Sequence, residues 1–303
     1  FLEALGGIEK GPYRQGSGRA ELAEYVLDPA NPLTARVFVN RIWAKLFGKG
    51  IVATVDNFGL LGDRPSHPDL LDTLARDFIT DGYSIKKTIR KLLLTDAYQR
   101  SSQASAEAQS KDPSNRLLQH MPVKRLEAEA IRDSILSLSG QLRNEMYGPS
   151  VNVFYTHDTG STKGDRPKGP LDGKGRRSVY LEIRRNATNP FLEVFDFPIP
   201  ASTRGERDMT NVPAQSLAML NSPFVIQQCE HWAANIVKLP GADRVPHLFR
   251  AAFRRAPTAA EIAQTNLLAD EIASEHKVSR DDAKVWRDVA QSILNLKEFI
   301  YIQ

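Results

Sequence analysis

Hydrophobic positions recur three and four residues apart along most of this chain, and that spacing predicts helices joined by short turn-rich connections. In "NPLTARVFVNRIWAKLFGKG", residues 31–50, Phe38, Val39, Ile42, Trp43, Leu46 and Phe47 gather on one face of a helix that starts near Pro32 and is terminated by Gly48 and Gly50. A short helix at 19–27 precedes it and ends at the Asp28-Pro29 turn. Ser66 is read as the N-cap of a helix through "HPDLLDTLARDFI", with Asp69 at the third position. Another helix opens after Ser84 in "SIKKTIRKLLLTDAYQ", and "RLEAEAIRDSILSLSGQL" predicts one from Arg125 to Leu142. Helices return from Pro213 to Leu220, after Ser222-Pro223, after a capping box of Thr258 and Glu261, and after Ser279, where Val285, Trp286, Val289, Ile293 and Leu296 form a stripe.

The remaining segments break this rhythm. Residues 101–110, rich in Ser, Ala and Gln, read as a surface loop. From Gly148 to Gly175 the chain is dense in Gly, Pro, Asp and Lys without period, and loops of that length are usually functional or mobile. "RSVYLEIR", residues 177–184, alternates Val179, Leu181 and Ile183 with polar neighbours and predicts a half-buried strand. The expected fold is therefore mainly α, a multi-helix globular domain with a small extended or β insert in the middle. Residues 1–303 are read as a single domain of a longer parent, with a helical part at 19–147, the insert at 148–210 and a second helical part at 211–303. The start at Phe1, without methionine or signal peptide, fits such a parent.

Composition narrows the class. With 41% hydrophobic and 25% charged residues, 303 positions can bury a large core. No run of about 18 apolar residues predicts a membrane span. The net charge of +4 is spread along the chain, and only Lys163 to Arg177 approaches a basic stripe, which argues against nucleic acid. Cys229, the single cysteine, excludes an internal disulfide, a haem-attachment pair and a cysteine zinc site, and reads as a small buried apolar residue.

Candidate chemistry sits where polar residues border apolar faces. Arg36 and Asn40 flank the Trp43 face, either as scaffold paired with a carboxylate or as the lining of a site. His67 lies in the first turn of its helix at the core edge, where the positive helix end favours the neutral ring of a base or ligand, while Asp72 points away and is read as a salt link. Arg125, Glu129 and Asp133 are spaced four apart, and Arg36 is a suitable partner for Asp133. Paired carboxylates there suit acid/base work, or metal binding together with His67, with an ion-pair network as the alternative. A third group offers Asp196, Arg204, Arg207, Gln215 and Asn221 on loops and helix ends. The familiar nucleophile-elbow, phosphate-loop, zincin and dinucleotide motifs are absent from the sequence.

"DPANPLTARVFVNRIWAKLFGKGIV", "FGLLGDRPSHPDLLDTLARDFI", "DPSNRLLQHMPVKRLEAEAIRDSIL", "RRSVYLEIRR", "VPAQSLAMLNSPFV" and "SILNLKEFIYIQ", taken in order, resemble the planctomycete-type C-terminal domain of unknown function. The resemblance implies an extracytoplasmic setting, periplasmic or at the cell surface, in a large exported protein. It also implies a haem c on a separate upstream cytochrome-like module, none being expected in this fragment, and upstream domains of the same chain as partners. The family's motif residues fall on Arg36, Asn40, Arg41, Trp43, His67, Pro68, Asp72, Arg125, Glu129, Arg132, Asp133, Arg177, Tyr180, Gln215 and Asn221.

Three functions are therefore weighed. The leading one is a module that binds a polar ligand such as a glycan, or docks a partner domain, through Arg36, Asn40, Trp43, Arg125, Arg177, Tyr180, Arg204 and Gln215. The second is a polysaccharide-active enzyme domain with His67, Asp133 and Glu129 or Glu127 in acid/base roles. The third is a purely structural scaffold.

Overall fold

A computed structural model describes residues 14, 16–153, 169–183, 189–200 and 204–302. The middle of the expected insert, 154–168, and the end of the expected strand at Arg184 lie outside the described residues. The protein is mainly α and divides into two compact units, residues 1–124 and 125–302.

The first unit contains α1 (Arg19–Leu27), α2 (Thr34–Phe47), α3 (Pro68–Thr80), α4 (Ile85–Leu93) and α5 (Ala106–Lys111). The ends of these helices follow local chemistry. Gly48 closes α2 in the left-handed conformation at φ 83°, where lack of a Cβ removes the steric penalty. Pro68 opens α3, its missing N–H being one the first turn would leave unbonded anyway. Ser84 caps α4 by accepting from Lys87 N–H. The core of the unit packs α2 on α3, with Trp43 stacked on Phe47 at 4.1 Å and Phe38 on Phe78 at 5.2 Å.

Asn40, fully buried on α2, ties down the chain that leaves this helix. Its amide donates to the carbonyl of Val52 at 3.0 Å and accepts from Val52 N–H at 2.9 Å. Gly50 is required beside it, because a Cβ there would lie 2.3 Å from Val52 O and 2.9 Å from the Asn40 nitrogen.

The second unit contains α6 (Ala128–Leu138), α7 (Pro190–Val194), α8 (Pro213–Asn221), α9 (Pro223–Ile236), α10 (Gly241–Phe253), α11 (Ala259–His276), α12 (Ala283–Leu294) and α13 (Lys297–Ile300). Its core is built on α9 against α12, with Trp232, Ala233, Cys229, Val285, Trp286 and Val289 almost wholly buried. Burial pushes the Cys229 thiol up to about 12, the behaviour of the small apolar residue expected there. Thr258 and Glu261 form the expected capping box of α11, and Arg255 grips Glu261 and Glu298 together. The named strands among the described residues are β1 (Lys124–Arg125) and β2 (Tyr301–Ile302), an antiparallel pair.

Four local expectations are corrected. The described part of the expected strand, 177–183, is not one: Ser178–Tyr180 is a 3-10 turn, and an isolated bridge joins Val151 to Leu181. The cause is Asp133, which accepts from both the N–H and the hydroxyl of Ser178, drawing the serine inward and leaving Val179 73% exposed. The predicted loop at 101–110 contains α5, because Ser105 caps it at Ala108 N–H. Ser66 does not cap α3: His67 holds the cap position without a side-chain bond, and Ser66 Oγ turns to His67 Nδ1 instead. The helix expected from Arg125 starts at Ala128, so Arg125 lies in β1 and no helical ladder with Glu129 and Asp133 exists.

Asn40→Ala leaves the buried Val52 N–H and C=O without partners, so the first unit should lose about 2–4 kcal/mol in urea unfolding, with an unchanged denaturant slope; a loss below about 1 kcal/mol would show that water replaces the amide. Glu261 sets an acid limit for the second unit. The Arg255 guanidinium and Thr258 N–H lower its pKa from 4.5 to about 2. Its contribution is therefore fully present above about 4.5 and lost as pH falls through about 2. Glu261→Gln should flatten the stability–pH curve over that window.

Candidate functional site

The chain entering α3, the loop after α2, the end of α4 with the residues that follow it, and the turn at 114–118 line a cavity of about 650 Å³ within the first unit. Four hydrogen bonds to the backbone shape it. Ser66 N–H donates to Ile51 C=O at 2.8 Å, and Arg116 donates through its guanidinium to Ser66 C=O at 3.0 Å. Asp112, at the end of α5, accepts from the N–H groups of Leu117 and Arg116 at 2.7 and 2.9 Å, and those bonds hold its carboxyl below the usual carboxylate range. The 112–118 turn is thereby fixed, with Asn115 and Leu118 in left-handed conformations, and presents Arg116 to the cavity.

Trp43, Leu74 and Leu92 supply apolar wall, while His67, Lys49, Asp63 and Arg64 supply polar groups. His67 stands at the start of α3, with Nδ1 2.9 Å from Ser66 Oγ. The volume suits a small ligand or a few residues of a longer one, and the mixture of an aromatic wall with a few polar groups is that of a binding pocket.

Of the residues expected at a site, Trp43 and His67 line this cavity. Asn40 is scaffold for it. Arg36 is bound elsewhere, donating from Nε to Asp72 at 2.7 Å and from a terminal nitrogen to Pro32 C=O at 2.6 Å. That bond holds the Asp72 carboxyl below its ordinary range, as the salt-link reading of Asp72 implied. The expected pairing of Arg36 with Asp133 is thus corrected, since each has its own partners. Arg116, Arg64 and Lys49 were missed, because they come from three separate segments and share no periodic pattern.

The remaining expected residues belong to the second unit. Glu129 receives a bidentate pair from Arg207 at 2.6 and 2.9 Å, and Glu127 lies 3.6 Å from the same guanidinium. Asp133 holds Ser178, and Arg132 reaches it at 3.3 Å. Arg125 is buried, donating to Asp196 and to Thr210 C=O. Burial pulls the Asp196 carboxyl up, but Thr210 and Arg125 outweigh it and the net shift is downward. Gln215, also buried, donates to the carbonyls of Val194 and Thr210 at 3.2 Å each. Tyr180 lies under the Arg176 guanidinium at 4.2 Å, Arg177 is exposed, and Arg204 pairs with Asp208 on the surface.

The deepest charge is Arg132 on α6, which is 1% exposed. It donates to the carbonyls of Asp172 and Arg176 and to Ser178 Oγ at 2.8–3.0 Å, and its burial lowers its pKa. Gly173 must lack a side chain, since a Cβ would come within 2.9 Å of the guanidinium. Among the described residues no three His, Cys, Asp or Glu side chains group as a metal site requires, and no helix is long and apolar enough to cross a membrane.

This geometry describes a helical protein with a ligand-sized cavity in one unit and a lattice of buried ion pairs in the other. Residues 18–268 match the family described as PSD1, protein of unknown function (DUF1553), and the chain belongs to that family. No curated protein and no solved structure matches it.

Arg132→Leu removes the donor shared by two buried carbonyls and Ser178, and the second unit should lose roughly 3 kcal/mol or more in equilibrium unfolding followed by Trp232 and Trp286 fluorescence. A near-neutral outcome would mean that Arg132 is dispensable packing.

Proposed function

We propose that the protein is a binding module that takes a polar, glycan-like ligand in the first-unit cavity. The observation that carries the reading is the 650 Å³ cavity, in which Trp43 and His67 face a set of hydrogen-bond donors on the segments around Lys49, Arg64 and Arg116. An aromatic wall covers the apolar face of a sugar ring and fixed donors meet its hydroxyls, the division of labour by which such pockets gain specificity. No proton transfer is assigned to Glu129 or Asp133, whose carboxylates are taken up by Arg207 and Ser178. The extracytoplasmic setting and the haem-bearing neighbour implied by the family resemblance complete the proposal: the module acts beside a redox domain in a longer exported chain.

Titration with short oligosaccharides should change the emission of Trp43, the tryptophan at the cavity, and raise the melting temperature. His67→Ala and Arg116→Ala should each weaken binding about tenfold while leaving the protein folded. If a panel spanning neutral and charged oligosaccharides gives neither signal at saturating concentration, the cavity is not a glycan site.

A further inference from the structure

We propose that the ligand of the first-unit cavity is an anionic glycan, one whose sugar rings carry carboxylate or sulfate groups; this rests on the binding reading above. The side chains lining the cavity are unbalanced in charge, with Lys49, Arg64 and Arg116 against Asp63; Asp112 lies close enough to Arg116 to feel its charge and is bonded to the N–H groups of Arg116 and Leu117. Several cations elsewhere in the unit have carboxylate partners, Arg36 with Asp72, Arg41 with Asp56, Lys91 with Asp77 and Asp81, and Lys111 with Glu107. Among the described residues, no ion pair engages Lys49, Arg64 or Arg116, and Arg116 spends one nitrogen on the carbonyl of Ser66.

Guanidinium groups are forks of donors that match the paired oxygens of carboxylate and sulfate, and such charge-assisted bonds are roughly twice as strong as neutral ones. Two of them at one cavity, with a lysine beside them, create a site that attracts negative charge before contact and holds it after. Trp43, Leu74 and Leu92 leave an apolar surface for the ring that carries the charge. A bare inorganic anion would leave that surface unused, and a neutral sugar would leave the cations unused.

The test is calorimetric titration of the full chain with four probes: an oligogalacturonate, a sulfated carrageenan fragment, a neutral cello-oligosaccharide and a single-stranded oligonucleotide. One of the two anionic sugars should bind at least about tenfold more tightly than the neutral one and weaken as salt is raised. Which of them binds identifies carboxylate or sulfate as the recognised group. The double variant Lys49→Gln/Arg64→Gln should abolish that margin with an unchanged melting temperature, because neither side chain holds the fold together. Equal affinity for neutral and anionic sugars would overturn the charge assignment and leave the glycan site standing. Oligonucleotide binding as tight as that of the anionic sugars would overturn it as well, by reducing the preference to general attraction for polyanions. Binding of none of the sugars would overturn both this inference and the site beneath it.

Discussion

The amide of Asn40 bonds both backbone groups of Val52 from inside the first unit's core, and the loop that walls the cavity is set by that pair of bonds. A side chain with one donor edge and one acceptor edge matches a peptide unit only in a narrow geometry, so the residues after α2 are fixed in register as well as in place. Ser66 then bonds Ile51, the next residue back, and Arg116 bonds Ser66. Each later link is a single hydrogen bond whose partner is positioned by the previous one, and the first, a pair of bonds, lies where water does not compete.

The second unit follows a different logic, burying cations and satisfying them mainly with backbone carbonyls. Arg132 and Arg125 reach Asp172, Arg176 and Thr210 in this way, Arg132 with the carboxylates of Asp133 and Asp172 nearby and Arg125 with that of Asp196. Such arrangements do little for net stability compared with apolar packing, since desolvation offsets the attraction. They do fix geometry, because a guanidinium fork accepts few alternatives. The described chain at 172–178 and the carbonyl of Thr210 are held by these arginines in place of a sheet.

What could be read from the sequence was what is encoded within a few residues. The Gly48 stop, the helix start after Ser84, the Thr258–Glu261 box and the apolar stripe from Val285 to Ile293 are all local, and all are present, while Leu296 falls past the end of α12 and is exposed. The strand at 177–184 failed because its alternation was overridden by Asp133, 45 residues away, which pulls Ser178 inward. Half of the cavity was legible, since Trp43 and His67 stand out on helical wheels. Lys49, Arg64 and Arg116 did not, because exposed basic residues are common and only the tertiary fold brings these three to one cavity. Arg132 was visible as a residue but not as a buried charge, its partners being carbonyls that no pattern of side chains betrays.

The packing of α12 on α9 bears on where this protein can be cut. The family match ends at residue 268, in the middle of α11 and before α12 begins. Yet Val285, Trp286, Val289 and Ala290 are at most 1% exposed, and they close the face of α9 that carries Trp232. A fragment ending at the match boundary would leave that face open to water. Because α9 and α12 lie far apart in sequence, the core of the second unit also has to wait during synthesis for α12 to emerge, whereas the described helices of the first unit lie within residues 1–124. A ribosome therefore releases the cavity-bearing unit before the core of the other can close, and a stop near residue 268 would spare the one and open the core of the other.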